Sequence, residues 1–281
     1  MKLSNFDNKN GESIISFQPW QTSGTEYELD SSRWYCHLLV NGERIYEYGC
    51  PCGTCGIIFR KVGSTNHKIS DPEAVQILGD LKKIPSSKGL QQLARVLEPG
   101  IYHPLVIEGK ITSIEPGAAN DYFATDVVRL FGFEPPEYKE PSGPWTTYYK
   151  FRSDNETGRT GHISGLHNAL ITAVVMPLHD PSKLNRERID YWKQKHSQGN
   201  TLTAFAISVI DNQSPAMGSP DPTYKYEEHY LFTNCVIDGH HRIQAAAELE
   251  ASVRILSFVS SQYSLIREND DLKIVLSNFI N

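Results

Sequence analysis

Near the C-terminal end of the chain, apolar and β-branched residues run from Leu231 to Ile237 and are cut by Asp238-Gly239. His240-His241-Arg242 follow, and then Ile243, Ala246, Ala247 and Leu249 recur at helical spacing. The pattern predicts a strand, a tight turn and a helix. Glycine in such a turn lets the backbone approach a ligand closely, and the first amides of a helix have no intrahelical partner. His240, His241 and Arg242 would then surround an anion site, with phosphate the obvious anion. A second reading stays open at this point, in which Asp238-Gly239 only turns the chain and the histidines are partly buried polar residues.

The rest of the sequence limits what such a site could serve. A chain of 281 residues can bury a substantial core, as one large domain or two ordinary ones, and two are expected. Hydrophobic residues at 39%, charged residues at 21% and a net charge of −6 describe a globular chain without the broad basic excess that signals nucleic-acid binding. No run approaches the roughly 20 apolar residues of a membrane helix, and Met1-Lys-Leu-Ser-Asn-Phe-Asp7 lacks the apolar core of a signal peptide. A cytoplasmic protein with no membrane partner is the expectation.

In the N-terminal half, Trp34 to Val40 and Glu43 to Tyr48 flank Asn41-Gly42, the dipeptide of a two-residue hairpin. Cys50-Pro-Cys52-Gly-Thr-Cys55-Gly56 follows, then a strand from Ile57 to Val62. Cys-x-x-Cys-Gly has the form of a zinc knuckle, with Cys36, Cys50, Cys52 and Cys55 as the candidate ligand set and His37 as a further donor. Structural zinc and ordinary reduced thiols both fit. Redox chemistry fits least, because β-branched residues rather than a helix start follow the pair. Asp71-Pro72-Glu73 opens a helix reaching about Lys82, and Ser87 to Leu97 form another. Tyr102 to Ile107 and Lys110 to Ile114 read as a hairpin across Glu108-Gly109, and Asp121 to Phe131 as an amphipathic helix. The division is therefore residues 1–132 as an N-terminal α+β domain, 133–160 as a Pro- and aromatic-rich linker or lid, and 161–281 as a C-terminal domain.

The C-terminal order is definite: strand 171–177, helix 185–198, strand 202–210, strand 230–237, helix 241–250, strand 253–259 and a short helix 270–279. Met176-Pro-Leu-His-Asp-Pro-Ser182, the Arg-bearing helix ending at Gly199, and Val236-Ile-Asp238-Gly-His-His-Arg242-x-x-Ala245-Ala246 resemble the ParB/sulfiredoxin-like superfamily over about residues 171–259. The fold class is thus α+β, a ParB/sulfiredoxin-like α/β domain preceded by a β-rich α+β domain carrying the cysteine cluster.

The resemblance implies phosphate binding at the turn, by Gly239, His240, His241 and Arg242, and Asp-Gly-His-His-Arg looks like the version in the superfamily's free-serine kinases. Sulfiredoxins carry a reactive Cys where His240 stands, and the partition proteins carry motifs that have no match here, so neither activity is expected. The implied function is an ATP- or ADP-dependent kinase of a small hydroxyl-bearing metabolite, using Mg²⁺, with Asp238, Asp180 and His241 as catalytic candidates and Glu227 or Glu228 as substitutes for a second carboxylate. Arg186 and Arg188 begin their helix and can face phosphate or solvent. A non-catalytic nucleotide-sensing module with a zinc-binding N-terminal region is the alternative. A phosphodiesterase or nuclease comes third, disfavoured by the lack of a dense carboxylate cluster for two metals.

Overall fold

The computed structural model describes residues 5–19, 35–49, 59–65, 76–79, 81–132, 144, 146–152, 160–162, 169–215, 218–266 and 269–277. The fold is mixed α+β, a six-stranded β-barrel beside a separate four-stranded sheet.

The small sheet is antiparallel in the order β2 (Ile15–Pro19), β3 (Tyr35–Val40), β4 (Glu43–Gly49) and β5 (Phe59–Lys61). Its β3–β4 turn is the expected Asn-Gly pair. Asn41 and Gly42 have φ of 51° and 79°, the positive values a two-residue hairpin turn requires.

The barrel uses β6 (Gly100–Ile114), β7 (Tyr148–Phe151), β9 (Ala169–Pro177), β10 (Leu202–Gln213), β11 (Glu228–Asp238) and β12 (Ser252–Ser260). They pair in the order β6-β12-β10-β11-β9-β7, and β7 pairs back onto β6 to close the ring. Closure leaves no long unpaired edge among these strands. The short strands β1 (Phe6–Asn8) and β8 (Thr160–His162) add to β6 and β9. Among the described residues the structure has the helices α1 (Ser87–Ala94), α2 (Asp126–Phe131), α3 (Arg186–Ser197), α4 (His240–Leu249) and α5 (Asn269–Ser277). Among the described residues no helix is long and apolar enough to cross a membrane.

Strand alternation builds two cores. Ile107, Phe151, Ile171, Ala206, Phe232 and Ile255, one from each barrel strand, join Ile243 and Ala246 of α4 in one cluster. The alternate residues, among them Val174, Phe205, Leu231 and Phe258, face the small sheet through Phe17, Leu38, Tyr46 and Phe59. A polar chain crosses the first core with its hydrogen bonds made. Ser257 Oγ donates to Ser208 Oγ (2.6 Å), Ser208 to Asn234 Oδ1 (2.9 Å), and Asn234 Nδ2 to the Val174 carbonyl (3.1 Å).

Three expectations change. The hairpin across Glu108-Gly109 is one continuous strand, because β12 pairs with β6 from Tyr102 to Lys110 and carries Gly109 in register with Val253. Non-local pairing overrides the local turn signal. The expected linker does not separate two sheets either, since β6 precedes it, β7 lies inside it, and both close the barrel with β9–β12. Finally, α2 starts at Asp126 rather than Asp121. The Asp121 carboxylate accepts from Gly117 N (2.8 Å), Phe123 N (3.0 Å) and the Tyr148 hydroxyl (2.9 Å), which holds this stretch in a turn. The proposed helix start at Asp71-Pro72-Glu73, most of the 133–160 segment, and Cys50, Cys52 and Cys55 lie outside the described residues.

Two titratable groups are sealed where β10 ends and β11 begins. His229 sits between the Tyr122 hydroxyl at Nδ1 (2.8 Å) and the Tyr224 hydroxyl at Nε2 (2.6 Å), and burial pulls its pKa down to about 3. Asp211 accepts from Gln213 Nε2 at 2.9 Å and leaves Oδ2 without a partner, and burial pushes its pKa up to about 7. A raised carboxyl pKa means that its contribution to stability is present below the unfolded value and is lost as pH rises toward 7. Asp211→Asn should therefore gain stability over the parent by about 2–3 kcal/mol more at pH 8 than at pH 5, each pH unit between folded and unfolded pKa being worth about 1.4 kcal/mol. Urea denaturation at the two pH values measures this, and His229, titrating in the opposite sense, cancels in the difference.

Candidate functional site

β9 and β11 run parallel and finish together, with Val236 opposite Pro177. Parallel strands deliver their following segments to the same end of a sheet, so the 178–185 loop and the start of α4 meet there. The histidines of the turn fasten that meeting. His240 Nε2 accepts from the His179 amide (3.3 Å), and the two imidazoles stack at 4.2 Å and 3°. His241 Nε2 accepts from the Asn185 amide at 3.2 Å. Burial is the main cause that holds both histidines neutral, and the charge of Arg188 adds to it at His241. A neutral ring that accepts at Nε2 carries its proton on Nδ1, so His241 keeps a donor to offer.

Between loop and helix lies a pocket of about 320 Å³ bordered by His179, Asp180, Lys183, Asn185, Arg188 and His241. Asn185 caps α3 through Arg188 N (3.0 Å) and so sets where Arg188 emerges. Asp180 opens the 3-10 turn Pro181–Lys183, its Oδ1 accepting from Ser182 N (3.0 Å) and Oγ (2.8 Å). Those Ser182 bonds hold its pKa below the usual carboxylate range, so it is ionised at neutral pH. Lys183 and Arg188 are exposed and make no ion pair among the described residues. α4 itself has no side-chain cap and no acidic residue in its first turn, the nearest carboxylate being Asp238 just before the N-cap Gly239.

Several candidates take other roles. Gly239 has φ of 102°, and a Cβ there would lie 2.8 Å from both Ala204 Cβ and the Thr203 carbonyl. The close approach that demands glycine is to β10, not to a ligand. Arg242 turns into the core. Its Nη1 donates to Thr203 Oγ1 (3.2 Å), Nη2 lies 3.5 Å from Asp238 Oδ1, and the guanidinium covers the Trp192 ring at 5.0 Å. With a side-chain exposure of 5%, it ties helix to strand instead of lining the pocket. Asp238 is likewise turned onto Arg242. Glu228 bonds to the Tyr230 hydroxyl at the opposite end of β11, about 30 Å from Asp238 for an eleven-residue strand. Arg186 is engaged by Glu248 and Asp190, and Lys193 joins Glu248.

Of the sequence candidates, Asp180 and His241 meet across one cavity, with His240 beneath them as the loop's anchor. Lys183 also borders the cavity, and its sequence signal is its place in the strand-to-helix loop three residues after Asp180. Cys36 is buried in β3, its Sγ directed at the His37 carbonyl (3.8 Å) and its pKa pushed by burial to about 12. His37 lies 3.7 Å from Glu47. Among the described residues no group of three or more His, Cys, Asp or Glu could hold a metal. Comparison with known protein families, with curated proteins and with solved structures gave no match.

Gly239→Ala should cost about 2–4 kcal/mol, from a side chain forced to positive φ and from overlap with β10. Urea unfolding with an unchanged slope and a lowered midpoint is the expected result.

Proposed function

We propose that this chain binds a nucleotide through its phosphates in the pocket between the 178–185 loop and α4, and that it transfers a phosphoryl group to a small hydroxyl-bearing metabolite. The observation that carries the reading is the convergence of Lys183, Arg188 and His241, in the first turn of α4, on a cavity with one carboxylate. The order β9-α3-β10-β11-α4-β12, with Asp-Gly-His-His-Arg spanning the junction of β11 and α4, supports the likeness to the ParB/sulfiredoxin-like superfamily. In this reading Arg188 is the bidentate phosphate ligand in place of Arg242, and Lys183 neutralises charge as a point donor. His241 donates to a phosphate oxygen. Asp180 keeps one oxygen on Ser182 and has the other for orienting an acceptor hydroxyl or for Mg²⁺. Asp180 would be the residue that holds Mg²⁺, whose charge would offset the negative charge developing in transfer.

A zinc knuckle in the N-terminal region is a separate proposal. It rests on Cys50, Cys52 and Cys55, with Cys36, buried in β3, as the fourth thiol.

Thermal melts with Mg²⁺ and ATP, followed by product detection over a panel of hydroxyl amino acids and sugars, test the function. A raised melting temperature, one phosphorylated acceptor, and loss of roughly tenfold or more in affinity on Arg188→Ala are expected, since a charged hydrogen bond contributes about 1.5–3 kcal/mol. Stabilisation with no product would favour the nucleotide-sensing module. Absence of stabilisation by ATP and by pyrophosphate alike would remove both.

A further inference from the structure

Lys61 ends β5 and pairs in register with Tyr46 on β4, its ammonium 6.0 Å from the Tyr46 ring. The Tyr46 hydroxyl donates to the Pro177 carbonyl at 2.7 Å, which fixes this part of the small sheet against the end of β9, three residues before Asp180. Lys61 thus stands beside the pocket on the side of the 178–180 loop. Arg188, by contrast, lies beside His241 and Arg242.

The ammonium is partly buried and makes no ion pair among the described residues. Burial lowers its pKa, and the charges it feels are Asp180 and Lys183. Asp180 is the one carboxylate among the residues bordering the pocket, and its Oδ1 already serves Ser182. Lys183 and Arg188 therefore border a cavity with a single carboxylate, and Lys61 lies near enough to that carboxylate to feel its charge. A partly desolvated cation that no ion pair among the described residues compensates is costly, and an anion entering the pocket relieves that cost.

We propose that Lys61 is a phosphate-binding residue contributed by the four-stranded sheet, holding the phosphate farthest from Arg188, so that the site takes nucleoside di- and triphosphates in preference to monophosphates. This rests on the phosphate reading above and adds to it a discrimination by phosphate number and a role for the N-terminal sheet. A phosphate chain reaching from Arg188 to Lys61 meets three cations, whereas a monophosphate at Arg188 does not reach the third. Lysine suits the outer position because its ammonium is a compact donor on a flexible stem.

Titration calorimetry on the full chain with Mg²⁺, using ATP and AMP against the parent, Lys61→Met and Lys61→Arg, tests the proposal. The parent should bind ATP at least roughly tenfold more tightly than AMP. Lys61→Met should weaken ATP by about tenfold and AMP by less than about twofold, as for one lost charged contact, while Lys61→Arg keeps most ATP affinity. A melting temperature of the ligand-free Met variant at or above the parent's shows that the fold is intact. If Lys61→Met binds ATP as the parent does, or loses ATP and AMP equally, the role of Lys61 is overturned while the pocket stands. If the parent binds neither nucleotide nor pyrophosphate, the phosphate reading itself falls and takes Lys61 with it.

Discussion

The contact of Gly239 with Thr203 and Ala204 of β10 is the constraint on which the site depends. With no Cβ, the chain leaving β11 can turn at φ of 102° directly against the neighbouring strand, and α4 starts there. That starting point seats Ile243 and Ala246 in the barrel core, drives Arg242 onto Thr203 and Trp192, and leaves the two histidines facing the 178–185 loop. Their ring nitrogens then receive the amides at both ends of that loop. The pocket follows from a steric fact at one residue. Of the side chains that border it, only His241 belongs to the turn's own motif.

The barrel supplies the second half of the arrangement. Because β9 and β11 are parallel neighbours, two loops distant in sequence arrive at one end, and the Tyr46 bond to Pro177 brings the small sheet to the same place. The buried Arg242–Asp238 pair is better understood as fixing this geometry than as adding stability, since pairs of this kind often gain little over apolar packing yet are costly to break singly.

Much of this was legible in the sequence because its signals were local. The Asn41-Gly42 hairpin, the Asn185 cap of α3, the Asp238-Gly239 turn and the order of the six C-terminal elements all depend on neighbouring residues. What was not legible depends on partners far along the chain. Glu108-Gly109 has the composition of a turn and is drawn into a continuous strand by β12. The closure of the barrel through β6 and β7 has no sequence mark, and a boundary drawn from composition therefore cut across it. At the site, the same limit misdirected the arginine. Motif spacing brings Arg242 near the turn, but only the position of Trp192 and Thr203 decides that it points inward, leaving Arg188 and Lys183 at the cavity. Lys61 belongs to another sheet and gave no signal at all.

The central claim is that phosphates enter the pocket on Arg188 and the Nδ1 edge of His241 while Arg242 stays in the core. A crystal structure of the protein soaked with ATP and Mg²⁺ tests it most directly. Phosphate oxygens within about 3.2 Å of both groups, with Arg242 still on Thr203, are the predicted result. Nucleotide bound at another surface, or Arg242 swung out to meet the phosphates, would contradict it.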